Sequence, residues 1–247
     1  MKILRQILII FFLGLIPALS EAAIAFRNKT FTVKTSPSTS TTLTEPTSAA
    51  QNDIIFVWAV LGYQTVTAST PTGWTLLYTI QTNQTKTYLY WIRRGASAPT
   101  YTFTYSSVDY AEFSVTAWSG VITSGSPIDV SASNASVQKA PAHPDCPSVT
   151  TTVANTVVIA FGMGWSGWST IAGTPSGYTA REVGVNGNNN DLAVFSKAVA
   201  VAGAENPAAI TGALNPGVSN DVAEVTVALK PDGASSAAPI RHRVIQN

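Results

Sequence analysis

Hydrophobic and polar positions along this chain alternate mostly with a period of two. In Pro99-Thr-Tyr-Thr-Phe-Thr-Tyr105, Tyr101, Phe103 and Tyr105 fall on one face and threonines on the other, as in a half-buried strand. Lys86 to Arg93 sets Tyr88, Tyr90 and Ile92 against Leu89 and Trp91, and Val225, Val227 and Leu229 alternate in the same way. Asp53 to Leu61 is instead a short continuous apolar run between Asn52 and Gly62, which predicts a strand covered on both faces. Clusters of Gly, Pro, Ser, Thr and Asn separate these runs and read as turns. No stretch has the apolar period of an amphipathic helix. The chain is expected to be all-β.

The pattern occurs twice. Asn52-Asp-Ile-Ile-Phe-Val-Trp58 answers to Asn155-Thr-Val-Val-Ile-Ala-Phe161, and Thr70-Pro-Thr-Gly-Trp74 to Thr174-Pro-Ser-Gly-Tyr178. Gly95-Ala-Ser-Ala-Pro99 answers to Gly203-Ala-Glu-Asn-Pro207, and Asp109-Tyr-Ala-Glu112 to Asp221-Val-Ala-Glu224. The offset grows from 103 to 112 residues, as when loops lengthen and strands do not. Copy one runs over 23–125 and copy two over 126–231, with about seven strands in each, the size of a small jelly-roll or immunoglobulin-like antiparallel sandwich. The connector Ile122-Thr-Ser-Gly-Ser-Pro127 is short and turn-like. It favours one body with a shared core over two tandem domains. Residues 232–247 lose the strand pattern and read as a flexible tail.

Residues 1–22 carry an address. Lys2 and Arg5 precede an apolar run from Ile7 to Leu19, and Ser20-Glu21-Ala22 places small residues around a cleavage site, the layout of an export signal. The run is shorter than the roughly 20 residues a spanning helix needs. The expected location is extracellular or at a cell surface, with no membrane span in the mature chain; periplasm and virion are the other settings weighed.

Composition removes other classes. The 14 Lys and Arg against 13 Asp and Glu give a net charge of +1, and charged residues make up only 11 % of the chain. The basic excess of a nucleic-acid binder is missing, as is the high charge of a disordered chain. A single cysteine, Cys146, excludes a disulfide framework and a multi-cysteine zinc site. It is expected either buried or paired between chains.

The run Ala117-Trp-Ser-Gly-Val-Ile-Thr-Ser-Gly-Ser-Pro-Ile-Asp129, with Thr70-Pro-Thr-Gly-Trp74 and Asn52-Asp53 ahead of an apolar strand, resembles a recurrent β-sandwich module. Such modules occur in secreted bacterial proteins and in phage virion or tail-associated proteins. The likeness covers residues 23–231. It implies fold and setting, and brings no catalytic set with it.

Candidate chemistry is sparse. Asp109-x-x-Glu112 and Asp221-x-x-Glu224 are the repeated acidic pairs. Glycan cleavage needs two carboxylates in unlike surroundings, and as copies of one position these are expected to be alike. His143-Pro-Asp-Cys146 brings imidazole, carboxylate and thiol together on a proline-stiffened segment without a second ligand cluster. Asn186-Gly-Asn-Asn-Asn-Asp191 has one carboxylate and lacks calcium-loop spacing. Neither metal, cofactor nor catalytic residue is therefore assigned. Asn28, Asn83 and Asn134 each begin an Asn-x-Ser/Thr acceptor pattern. The positive lead is aromatic. Trp165 and Trp168 sit in a Gly/Ser-rich segment directly after a buried strand, where copy one has Tyr63. Flat rings at the end of a sandwich stack on sugar faces or dock on a partner, whereas Trp58, Trp74, Trp91 and Trp118 are expected in the core. The sequence thus points to a non-enzymatic surface-contact module, adhesin-like or carbohydrate-binding, meeting a glycan or a cell-surface protein. A structural subunit of a surface or virion assembly is the alternative, followed by a secreted glycan hydrolase or lyase.

Overall fold

A computed structural model describes residues 23–139, 144–165, 168–184, 190–214 and 219–233. Its regular elements are all strands. Copy one contains β1 (Ala25–Lys34), β2 (Ser38–Thr42), β3 (Ile54–Gly62), β4 (Thr75–Gln81), β5 (Thr85–Arg93), β6 (Thr102–Val108) and β7 (Ala111–Ser119). Copy two contains β8 (Ile128–Lys139), β9 (Val149–Thr150), β10 (Thr156–Trp165), β11 (Trp168–Gly173), β12 (Thr179–Gly184), β13 (Asn190–Val199), β14 (Ala204–Glu205), β15 (Thr211–Leu214) and β16 (Ser219–Leu229).

The duplication is visible in the topology. One five-stranded antiparallel sheet has the order β1-β7-β3-β5-β4, and the other, read from its far edge, β8-β16-β10-β13-β12. Element for element these are the same order. The small pairs are less alike: in the repeat β14 falls at residues 96–97, just ahead of β6, whose own counterpart is β15. Turn details repeat as well. Asn52 and Asn155, each just ahead of the central strand, have φ of 72° and 56°, a left-handed conformation that asparagine tolerates. Gly73 and Gly177 have φ of 85° and 80°, and the residue after each, Trp74 or Tyr178, donates its N–H to the proline carbonyl three residues back.

Four layers result. The two large sheets face each other across a core in which Ile54, Phe56, Trp58 and Val60 of β3 meet Val157, Ile159, Phe161 and Met163 of β10. The Phe56 and Phe161 rings lie 5.6 Å apart, edge to face. Ile55, Val57, Ala59 and Leu61 point the other way and are covered by Leu43, Tyr101, Phe103 and Tyr105. On the far face of the second sheet, Val158, Ala160 and Phe195 lie beneath Cys146, Val149 and Ile210. Both faces of β3 and β10 are thus buried, which is why these two segments read as continuous apolar runs. Trp58, Trp74 and Trp118 are buried, and Trp91 packs half-buried on the core.

The copies meet reciprocally. β1 packs against β12 and β4 against β8; β12 and β8 are the counterparts of β4 and β1, so each contact repeats the other with the copies exchanged, as in an isologous dimer. At one side Lys29 pairs with the buried Glu182, and the Arg181 guanidinium lies 4.9 Å from the Phe26 ring centroid. At the other, Tyr78 and Ser131 share a 2.9 Å hydroxyl hydrogen bond. The connector is strapped down, with Ile122 N–H donating to the Lys230 carbonyl and Lys230 N–H to that of Pro127. Gly184 is needed for the close approach. A Cβ there would lie 2.6 Å from the Phe31 ring, and a ring held between two sheets has little room to retreat. Gly184→Ala is expected to lower stability by about 1–3 kcal/mol, read as a fall in the urea midpoint.

Candidate aromatic site at the sandwich end

β3 ends at Gly62 and β7 begins at Ala111, and the two strands are paired in register up to Leu61 opposite Ala111. That pairing brings the Gly62-Tyr63 corner against Asp109-Tyr110. Gly62 N–H donates to the Tyr110 carbonyl at 2.9 Å, and a Cβ on residue 62 would already stand 3.2 Å from that oxygen. The chain then turns through Tyr63, a non-glycine residue with φ of 77°. A bulky side chain in this region is strained and marks a position worth a functional reading. The Tyr63 ring is 52 % exposed, yet it is fixed, because its hydroxyl donates to Asp109 Oδ2 at 2.6 Å. The hydrogen bond to that carboxylate raises the phenol pKa.

Trp165, the last residue of β10, comes in from copy two. Together Thr35, Gly62, Tyr63, Asp109, Tyr110 and Trp165 line a depression of about 390 Å³, within the size range of small-ligand pockets. The structure therefore brings together two of the three sequence-assigned aromatics. Trp168 begins β11, opposite Leu214, and its side chain lies outside the described residues. Thr35, Asp109 and Tyr110 were not assigned to a binding site from the sequence. The signal that finds them is strand pairing: the repeat sets β7 beside β3, so the residues before one strand must border those after the other.

The acidic pairs differ from expectation. With β3 and β10 aligned at the 103-residue offset, Val60 corresponds to Met163. Val60 is paired with Glu112, but Met163 is paired with Ala223. The structural counterpart of Glu112 is thus Ala223, and the sequence match to Glu224 is one residue out of register, which turns the side chain to the opposite face. Glu112 shares the inter-sheet face with Phe56 and Trp58. It is fully buried, accepts the Tyr110 hydroxyl at 3.2 Å on Oε1, and has no partner on Oε2. Burial, helped by the nearby Asp191 charge, pushes its pKa up to about 9. Glu224 lies on the outer face, where Oε1 accepts the Asp145 N–H at 2.8 Å and burial lifts its pKa to about 7. Asp221 reaches across to copy one and accepts the Gln84 N–H at 2.7 Å, whereas Asp109 stands at the depression. The two pairs are not copies, and the inference from their likeness fails.

Other sequence candidates recede. Cys146 is 1 % exposed, and its Sγ lies 3.5 Å from the Phe161 carbonyl oxygen it donates to. Burial raises its pKa well above that of a free thiol, so it is shut off from pairing between chains and from thiolate chemistry. His143 and residues 186–189 lie outside the described residues. Among the described residues no group of three or more His, Cys, Asp or Glu side chains is placed to hold a metal ion, and no helix is long and apolar enough to cross a membrane. No family model, curated protein or solved structure matches this chain.

Proposed function

We propose that this protein is an exported carbohydrate-binding module whose site is the depression between the Tyr63 corner and Trp165. The observation that carries this reading is Tyr63 itself: an exposed ring, held in a strained backbone conformation and locked by Asp109. A ring fixed before binding loses little entropy when a ligand covers it. Pyranose rings present an apolar C–H face that stacks on aromatic surfaces and a rim of hydroxyls that hydrogen-bond carboxylates and hydroxyls. Tyr63 and Trp165 supply the first kind of contact. Asp109 and Thr35 supply the second. Export rests on residues 1–22, and the setting fits the resemblance to secreted β-sandwich modules.

Binding is favoured over cleavage by the acid inventory of the wall. Asp109 is the one carboxylate among the residues lining the depression. Glu112, whose raised pKa suits a proton donor, is buried behind Tyr110 and is not part of the lining, so a general acid and a second carboxylate do not converge on a ligand there.

Retention on an immobilised glycan panel tests the proposal. Tyr63→Ala and Trp165→Ala are each expected to weaken retention at least ~10-fold, about 1.4 kcal/mol, with the melting curve nearly unchanged for the exposed Tyr63. Replacing Trp165 and Trp168 together is expected to abolish it. Retention unaffected by Tyr63→Ala, retention on no glycan at all, or turnover of the bound polysaccharide each overturns the reading.

A further inference from the structure

The four edges of the two large sheets are β1, β4, β12 and β8, and an open edge offers unpaired backbone groups to any extended chain. Three edges are blunted. β1 has a bulge between Phe26 and Asn28, carries Arg27, Lys29 and Lys34, and is fastened through Asn28 and Thr30 to Thr47 and Thr44. In β4 a bulge between Leu76 and Tyr78 leaves four residues of regular ladder. β12 is six residues long, bulged between Ala180 and Glu182, with Arg181 and Glu182 at the break. Charges, bulges and short length are the usual protections against edge pairing.

β8 has none of these over most of its length. Its one irregularity falls near its start, between Ile128 and Val130, and from Val130 to Lys139 it runs ten residues in unbroken register with β16. Between Val130 and Gln138 it carries only Val, Ser, Ala, Asn and Gln. Ser133, Asn134 and Ala135 are exposed, and among the described residues no backbone hydrogen bond from another segment reaches this stretch. β1, its counterpart in copy one, is bulged at the equivalent place, at Arg27 where β8 has Asp129, and differs in carrying Lys29 and Lys34 beyond the bulge and in a shorter unbroken run, Asn28 to Lys34.

The geometry points to β8 as a self-pairing edge, on which a second copy of this chain adds antiparallel to form a twofold dimer with one continuous ten-stranded sheet. Side chains on one face alternate, so a twofold normal to the sheet must pair residues of like parity. Centred on Asn134, it sets Ser133 against Ala135, Ala132 against Ser136, Ser131 against Val137 and Val130 against Gln138. The three pairs nearest the axis each have a serine or alanine partner, and no like charges meet. The same register brings Asp129, at the start of one strand, level with Lys139 at the end of the other. These two positions carry opposite formal charge, so the register sets no like charges together at either end; the Asp129 carboxylate itself accepts the N–H and hydroxyl of Thr152, a tie at the start of the strand that leaves the run from Val130 onward uncovered.

Sedimentation of the purified protein is expected to give twice the mass of one chain, falling towards the single-chain value on dilution. Ser133→Lys combined with Ala135→Lys places lysines opposite each other across the axis and is expected to yield the single-chain mass with unchanged near-ultraviolet circular dichroism. Thr32→Lys on β1 is expected to leave the dimer intact. Asn134→Cys sets two thiols across the axis and is expected to give a disulfide-linked dimer under mild oxidation, with the buried Cys146 not competing. A single-chain mass for the unaltered protein at every concentration, or a dimer that survives the paired lysines, overturns the proposal. Glycan retention by the Tyr63 site is read separately, so neither result stands in for the other.

Discussion

Expressed alone, residues 23–125 will not give a cooperatively folding unit. Copy one holds its own strand order and a complete covered outer face, so its local structure does not call for the rest of the chain. Its inner face does. Nine of the nineteen buried residues in the inter-sheet cluster belong to copy one, among them Phe56, Trp58, Leu89 and Trp118. Exposing a large apolar side chain costs about 1.5–3 kcal/mol. Summed over that face, the loss exceeds the roughly 5–15 kcal/mol by which a whole domain is stable. The fragment is expected to be molten or aggregated, with 8-anilinonaphthalene sulfonate binding and no urea transition. Co-expression with residues 126–247 is expected to restore a cooperative transition. A fragment that melts cooperatively as a monomer would show that the two sheets are independent domains that merely touch.

The second large effect is on the pH profile of stability. Glu112 has a folded-state pKa of about 9 against an ordinary value of 4.5, so the folded chain holds a proton that the unfolded chain releases. Below pH 4.5 both states are protonated and the residue is neutral in its effect. As pH rises from there the unfolded state ionises first, stability falls, and the full penalty is reached once pH passes about 9. Glu112→Gln removes the titration while its side-chain oxygen still accepts the Tyr110 hydroxyl. The variant is expected to match the parent near pH 4.5 and to gain increasingly above it, on the order of 5 kcal/mol at most by pH 9. Glu224→Gln is expected to give a smaller gain, about 3 kcal/mol, complete once pH passes about 7. Urea melts across this range check both. Parallel profiles for parent and Glu112→Gln would mean that the carboxylate is solvated in the folded state.

Much of this architecture was legible in the sequence because burial on both faces and alternation on one face leave different marks. β3 and β10 stand out as continuous apolar runs, and β6 as a strict alternation of aromatics with threonines. The repeat was legible for the same reason, since turn residues such as Asn52 and Asn155 recur wherever the backbone needs a left-handed residue. The register of β16 was not. Matching identical acids aligns Glu112 with Glu224, but the pairing of β7 and β16 with the central strands decides which face a residue occupies, and one residue of slip exchanges interior for exterior. The aromatic lead was half legible. Tyr63 and Trp165 are identified by their place after buried strands, while Asp109, Tyr110 and Thr35 join them only through strand neighbours distant in the chain. Copy two also has nine strands where about seven were expected; β11 and β15 form a separate pair where copy one has an isolated bridge from Ala68 to Tyr105.

Gly120 stands at a junction. On one side of it Ser119 is paired with Ala25, and on the other Val121 is bridged to Pro231. The beginning of copy one and the end of copy two therefore lie within about 15–20 Å of each other, a gap that some six extended residues would span. The present join, at residues 123–126, is an exposed loop. Each half begins and finishes beside the same hinge point, and which half is translated first is a matter of genetic order that the folded body does not record.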